Sequence, residues 1–201
     1  MEFIFVTGPS AVGKSTLSRG LCGKLGGVLI EQNMVPEFTV PPYVSDEGAY
    51  EEKVCWGNVL CQIEYFHNIG FRNIIVNDFD DLRVRELPVL FKGHRFIVIR
   101  LCSSDPEQIK VQMIHRAKNE GGLYAPEGVG RLNALISSRP LMPNEVKLDI
   151  AGKTAEQVLG EAMELLEGFE PELEYDYMPG DQRYYHSWVH SRGLNWEWTA
   201  K

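Results

Sequence analysis

Residues 3–16 read FIFVTGPSAVGKST. A β-branched and aromatic run breaks at Thr7-Gly8 and ends in Gly13-Lys14-Ser15-Thr16. Gly8-Pro9-Ser10-Ala11-Val12-Gly13-Lys14-Ser15 matches the Walker A pattern G-x-x-x-x-G-K-[ST] throughout, with a strand pattern ahead and a helical one behind. Each residue type answers a need of phosphate chemistry. Glycines let successive backbone N–H groups converge on phosphate oxygens, and the start of the next helix adds positive potential. Lys14 is expected at the β- and γ-phosphates, Ser15 in the Mg²⁺ shell and Thr16 at the α-phosphate. A nucleoside triphosphate, taken as ATP, with Mg²⁺ is therefore the first expectation.

The remaining chain is that of an ordinary globular protein. Of its 201 residues 44% are hydrophobic and 24% charged, which is ample for one generous core. A formal net charge of −8 leaves no electrostatic footprint for nucleic acid. No apolar run is long enough for a bilayer helix, and the first residues enter a strand pattern directly, so neither membrane nor secretory signal is expected. Cys22, Cys55, Cys61 and Cys102 are scattered without a Cys-x-x-Cys, and read as reduced core thiols of a cytoplasmic protein.

Strand and helix patterns alternate, the signature of an α/β protein with a parallel sheet covered on both faces. Strands are expected over Glu2–Thr7, Gly27–Glu31, Arg72–Asn77, Arg95–Leu101 and Lys147–Ile150. Helices are expected over Gly13–Leu25 and Ser45–Asn68, after the Ser104-Asp105-Pro106-Glu107 start with Ser104 as its cap, and from the Thr154–Gln157 box through Leu166. NEGGLYAPEGVG, ending at Gly130, has the composition of a mobile flap. Beyond Gly168 an acidic stretch turns into a segment rich in Tyr and Trp. Residues 1–168 are thus expected to form the domain, and 169–201 an extension packed on its surface.

Several large classes share the loop. Transporter-type ATPases need a subdomain ahead of it and a signature helix after it. GTPases need Asn-Lys-x-Asp, which is absent, and Asp149-Ile-Ala-Gly152 lies too late to be their Asp-x-x-Gly. Guanylate kinases share Gly-Pro-Ser but not the downstream guanylate signature. Four features in order resemble the P-loop small-molecule and nucleoside kinases, the group of shikimate kinase, gluconate kinase and chloramphenicol phosphotransferase. They are the loop, an acid closing the second strand, an Arg-bearing helix before a flap, and KLDIAGKTAEQV. The resemblance implies a three-layer fold with a five-stranded parallel sheet ordered 2-3-1-4-5. It also implies that Gly152 and Lys153 border the adenine and that Arg116 stacks on it.

The transfer chemistry calls for a carboxylate at the acceptor hydroxyl and cations on the moving phosphoryl group. Glu31 ends the second strand and Asp78 directly follows the third, both at the carboxyl ends where ligands sit in open α/β sheets. Asp78 is also the candidate for holding Mg²⁺ through a water. The two carboxylates can exchange roles, so only the pair is assigned. Asp80 or Asp81 is expected to cap the helix carrying Arg83 and Arg85, which are further candidates for gripping an anionic acceptor. Arg116, Arg131 and Arg139 surround the flap as candidate phosphate cations, since a planar guanidinium binds two oxygens and stays charged. In QNMVPEFTVPPYVSDEGAY, Phe38, Tyr43 and Tyr50, with Trp56 beyond, offer an acceptor wall. His186 and His190 lack a third ligand and read as unligated.

The expected activity is transfer of the γ-phosphate from ATP to a hydroxyl of a nucleoside or nucleotide, a sugar or hydroxy acid, or an antibiotic, by a monomer or homodimer. A nucleotide-gated binding or regulatory ATPase is the alternative from another class. A nucleic-acid end kinase is disfavoured by charge.

Overall fold

The computed structural model describes residues 1–32, 47–119 and 134–178. Its elements run β1 (Phe3–Thr7), α1 (Lys14–Leu25), β2 (Val28–Glu31), α2 (Glu47–Asn68), β3 (Ile74–Asn77) and a 3₁₀ turn over Asp81–Arg85. They continue through α3 (Leu87–Leu90), β4 (Phe96–Cys102), α4 (Pro106–Asn119), helical residues 134–138 (α5), β5 (Glu145–Asp149) and α6 (Ala155–Gly168). All five strands are parallel and lie in the order β2-β3-β1-β4-β5. β1 is central, so the phosphate loop leaves the middle of the sheet.

Strand alternation builds the three layers. Successive side chains of a strand point to opposite faces. Ile4, Val6, Ile75, Ile97, Ile99 and Leu101 accordingly face one core with Leu17, Leu21, Ile109 and Val158 of α1, α4 and α6. Phe3, Phe5, Ile74, Val76, Phe96 and Val98 face a second core with Trp56, Val59 and Ile63 of α2 and Leu87 of α3. The near-continuous apolar strands follow from this burial on both faces.

Helix ends agree with the sequence in part. The Thr154–Gln157 capping box is formed in both directions, and Asp80 accepts from the Leu82 N–H at 2.9 Å. The start of α4 differs. Pro106 is its first residue, so Asp105 rather than Ser104 occupies the cap, accepting from the Glu107 N–H at 3.0 Å. All four cysteines are thiols, and Cys61 is exposed rather than part of the core.

The flap residues 120–130 and Arg131 lie outside the described residues, as do Phe38, Tyr43, the Tyr50 side chain, His186 and His190. Beyond α6, Phe169 and Tyr175 pack against the two cores. Tyr175 donates to the Pro88 carbonyl at 2.7 Å, and Tyr177 to the Arg85 carbonyl at 3.1 Å.

Candidate functional site

The loop between β1 and α1 has the backbone that an anion cradle requires. Gly8 and Gly13 hold φ of 136° and 97°, and Ala11 lies at 62°. A Cβ at Gly8 would stand 2.4 Å from the Leu101 carbonyl oxygen, so only glycine lets the loop cross β4 this closely. Lys14 is 12% exposed at its side chain, and its Nζ donates to the Gly8 and Pro9 carbonyls at 3.1 Å each. Asp78 Oδ1 is 3.9 Å away. Burial lowers the Lys14 pKa, the Asp78 charge opposes that fall, and the Arg116 charge adds to it. The ammonium is therefore desolvated and only partly compensated, which suits a site for anionic oxygens.

Two carboxylates stand at this end of the sheet in different conditions. Glu31 is 1% exposed at its side chain. Its Oε2 accepts from Arg19 Nη2 at 3.0 Å, and its Oε1 from Asn77 Nδ2 at 3.2 Å. Burial pushes its pKa up, but hydrogen bonds from Ser15, Arg19 and Asn77 outweigh that and leave it below the usual carboxylate range. Asp78 has a side chain 35% exposed and a left-handed backbone, φ 60°, where the chain turns out of β3. Aspartate tolerates that conformation better than most residues.

On the other side of the loop lies a cleft of about 140 Å³ between α1, α4 and the β5–α6 turn. Val12, Gly13, Thr16 and Leu17 form its loop side, and Lys153, Gln108 and Gln112 its far side. Gly152, at φ 68°, makes the turn and donates its N–H to Gln108 Oε1 at 3.2 Å. Gly13, Thr16 and Lys153 thus line one cleft, with Gly152 beside it. Lys153 Nζ is held 2.6 Å from Glu161 Oε2. Arg116 is exposed on α4 and does not line the cleft, although its charge reaches Lys14. Gln108 and Gln112 were not foreseen. Their four-residue spacing on α4 gives them a common face, the one sequence signal that pointed to them.

Arg139 does not belong with the phosphate cations. All five of its N–H donors are engaged, by Asp81 at 2.6 and 2.9 Å, by Glu145 at 2.6 Å twice, and by the Pro140 carbonyl at 3.2 Å. Burial works to lower its pKa, but the carboxylates Asp81 and Glu145 raise it well above the ordinary value. Asp81 also accepts from the Thr7 hydroxyl at 2.6 Å, and buried Arg100 donates to the Ile136 and Arg139 carbonyls at 2.7 and 2.9 Å. This cluster ties β1, β4, β5 and α5 together. Asp81 is thus an ion-pair partner, and capping falls to Asp80. Arg83 is also buried, bonded to Glu86 and 5.8 Å from the Trp56 ring centroid, while Trp56 Nε1 donates to Glu86 at 2.9 Å.

No family model and no curated protein matches the chain by sequence. Solved structures do match. A sugar kinase from Janibacter sp. superposes with a TM-score of 0.59 at 19% identity, covering 83% of this chain and 95% of that one. The fold is that of the P-loop kinases. A gluconokinase from Sinorhizobium meliloti gives 0.58 at 15% identity, over 83% and 91% of the two chains. A shikimate kinase from Aquifex aeolicus gives 0.51 at 18% identity, over 83% and 96%. At such identities the P-loop kinase fold is what is shared, and the strand order expected from the resemblance is the one observed. No described helix is long and apolar enough to cross a membrane.

Proposed function

We propose that the protein is an ATP-dependent phosphotransferase that moves the γ-phosphate to a hydroxyl of a small molecule. One observation carries the reading: a buried, partly compensated lysine within a Walker A loop faces an accessible aspartate just beyond the neighbouring strand of a P-loop kinase fold. The kinases of sugars and hydroxy acids among its structural neighbours support the same class of acceptor.

Lys14 now spends its N–H groups on two loop carbonyls, at the modest distance of 3.1 Å. Triphosphate oxygens exchange those neutral acceptors for charged ones, so that donor and acceptor are both ionised. Gly152 and Lys153 border the base, with Thr16 at the α-phosphate. The oxygen groups present fit Mg²⁺, a hard cation: the Ser15 hydroxyl, whose interaction lowers the Glu31 pKa, the Asp78 carboxylate, and Asn77 Oδ1, which is buried without a hydrogen-bond partner among the described residues. When bound, the ion neutralises charge on the phosphates.

Between the carboxylates the roles divide. Glu31 is saturated by Ser15, Arg19 and Asn77 and held ionised, so it positions the Ser15 hydroxyl. Asp78 is open to an incoming acceptor and serves as the base. It takes the acceptor proton as the acceptor oxygen bonds to the γ-phosphorus and the bond to the β-phosphate oxygen breaks. Arg116 and Arg131 are the cations assigned to the transferred group, and residues 169–201 are assigned to a surface extension of the same domain.

The test is a panel of sugars, hydroxy acids, nucleosides and hydroxylated antibiotics scored for acceptor-dependent ADP release. At least one class should raise release well above the water background. If none does, while ATP changes affinity for a protein partner, the transferase reading fails in favour of a nucleotide-gated binding protein.

A further inference from the structure

At the opposite end of the sheet, three potential ligands from separate elements converge. Glu2 precedes β1, His67 lies in the last turn of α2, and His94 lies in the turn before β4. One ligand atom from each falls within 4.8 Å of the other two. We propose that Glu2, His67 and His94 form a binding site for a divalent transition metal of borderline softness, Zn²⁺ being the best match.

The three side chains stand close enough together to close on such an ion. Zn²⁺ binds imidazole nitrogen and carboxylate oxygen at about 2.0–2.2 Å with tetrahedral angles, which sets ligand atoms roughly 3.3–3.6 Å apart. His67 Nε2 stands 3.2 Å from Glu2 Oε1 and His94 Nδ1 stands 3.5 Å from the other carboxylate oxygen, Oε2, so each ring faces its own oxygen, and one atom from each residue lies within 4.8 Å of the others. Two imidazoles and a carboxylate suit zinc over Mg²⁺ or Ca²⁺, which prefer all-oxygen shells. Three protein ligands leave the fourth position to water.

The surroundings hold this arrangement in place. The Arg95 N–H donates to Glu2 Oε2 at 2.9 Å and orients the carboxylate, as outer hydrogen bonds orient metal ligands. Phe3, buried, lies under both rings with centroids at 5.1 and 5.5 Å, giving the site a rigid apolar floor. The side chains of Glu2, His67 and His94 are 21, 25 and 43% exposed, so an ion has a path from solvent. One group competes. Arg72 Nη1 is 2.9 Å from Glu2 Oε1, but its side chain is 63% exposed and free to swing outward.

The five residues of β1 put this site roughly 17 Å from the phosphate loop. Its role is therefore to fasten the end of α2 to the lower edge of the sheet, not to take part in transfer. It stands or falls independently of the phosphotransferase reading.

The experiment titrates the metal-free full chain, without nucleotide, with Co²⁺ and with Zn²⁺ against a chelating dye. One equivalent of Co²⁺ should give the intense visible bands of a four-coordinate N/O site, without a thiolate charge-transfer band. Saturating Zn²⁺ should raise the unfolding midpoint. His67→Ala with His94→Ala should weaken binding at least tenfold, and His186→Ala with His190→Ala should leave it unchanged. Arg72→Ala should tighten it by removing the competing cation, a gain that a purely structural ion-pair cluster does not produce. Absence of stoichiometric binding by the wild type overturns the proposal. So does a thiolate band, or binding that depends on His186 and His190; these readouts need no folded variant of the site itself.

Discussion

Lys14 and Arg139 are both cations buried at the carboxyl end of one sheet, and their surroundings could hardly differ more. Arg139 meets two carboxylates in paired geometry with every donor used, and its charge is strengthened. Lys14 meets two backbone carbonyls and a carboxylate 3.9 Å away, and its charge is weakened by burial. A saturated cation has nothing to offer a ligand and serves the frame. An unsaturated one stores interaction for an anion that arrives later.

The contrast is broken most directly at Arg139. Arg139→Ala leaves Asp81 buried with only the Thr7 hydroxyl and Glu145 with Arg100, and loss of one member of such a buried cluster costs about 3–5 kcal/mol. Denaturant unfolding should show that loss, while ATP affinity of the folded fraction stays within a few-fold of wild type. A stable variant that loses ATP binding would move Arg139 back among the phosphate cations.

The two carboxylates sharpen the same point. Asp78→Asn should lower kcat on the order of 100-fold or more, with KM for ATP little changed, as expected for loss of a general base. Glu31→Gln should cost clearly less. Glu31 also has a pH signature. Its pKa is below 4.5 in the folded state, so its stabilisation is present above that value and is lost as pH falls through the folded pKa. Acid titration of unfolding should therefore show a smaller loss of stability below pH 4.5 for Glu31→Gln than for wild type. The smallest effect is expected at Thr154, where the Ala variant removes the capping box and costs about 1 kcal/mol in thermal unfolding without altering kcat.

What could be read from the sequence divides along the same line. The phosphate loop is contiguous, so its spacing was visible in eight residues, and the apolar strands showed through because both faces are covered. The fate of Arg139 was not visible. One partner, Asp81, is 58 residues away, and the acid six residues on, Glu145, does not by itself distinguish an arginine destined for an ion cluster from one destined for a phosphate. Glu31 was placed at the right end of its strand, but Asn77, 46 residues on, is what saturates it. Asp105 displaced Ser104 as the cap because the proline sits at the first helical position, which fixes the cap one residue later.

The claim that Lys14 is held unsaturated for a polyphosphate is tested most directly by Lys14→Met, which keeps the alkyl stem and removes the charge. Its ATP affinity, measured calorimetrically beside its unfolding midpoint without nucleotide, gives both halves of the claim. Affinity should fall on the order of 100-fold or more, as for loss of a desolvated charge contact worth about 3 kcal/mol, while the midpoint holds or rises. ATP affinity within a few-fold of wild type, or a midpoint that collapses as in Arg139→Ala, would contradict it.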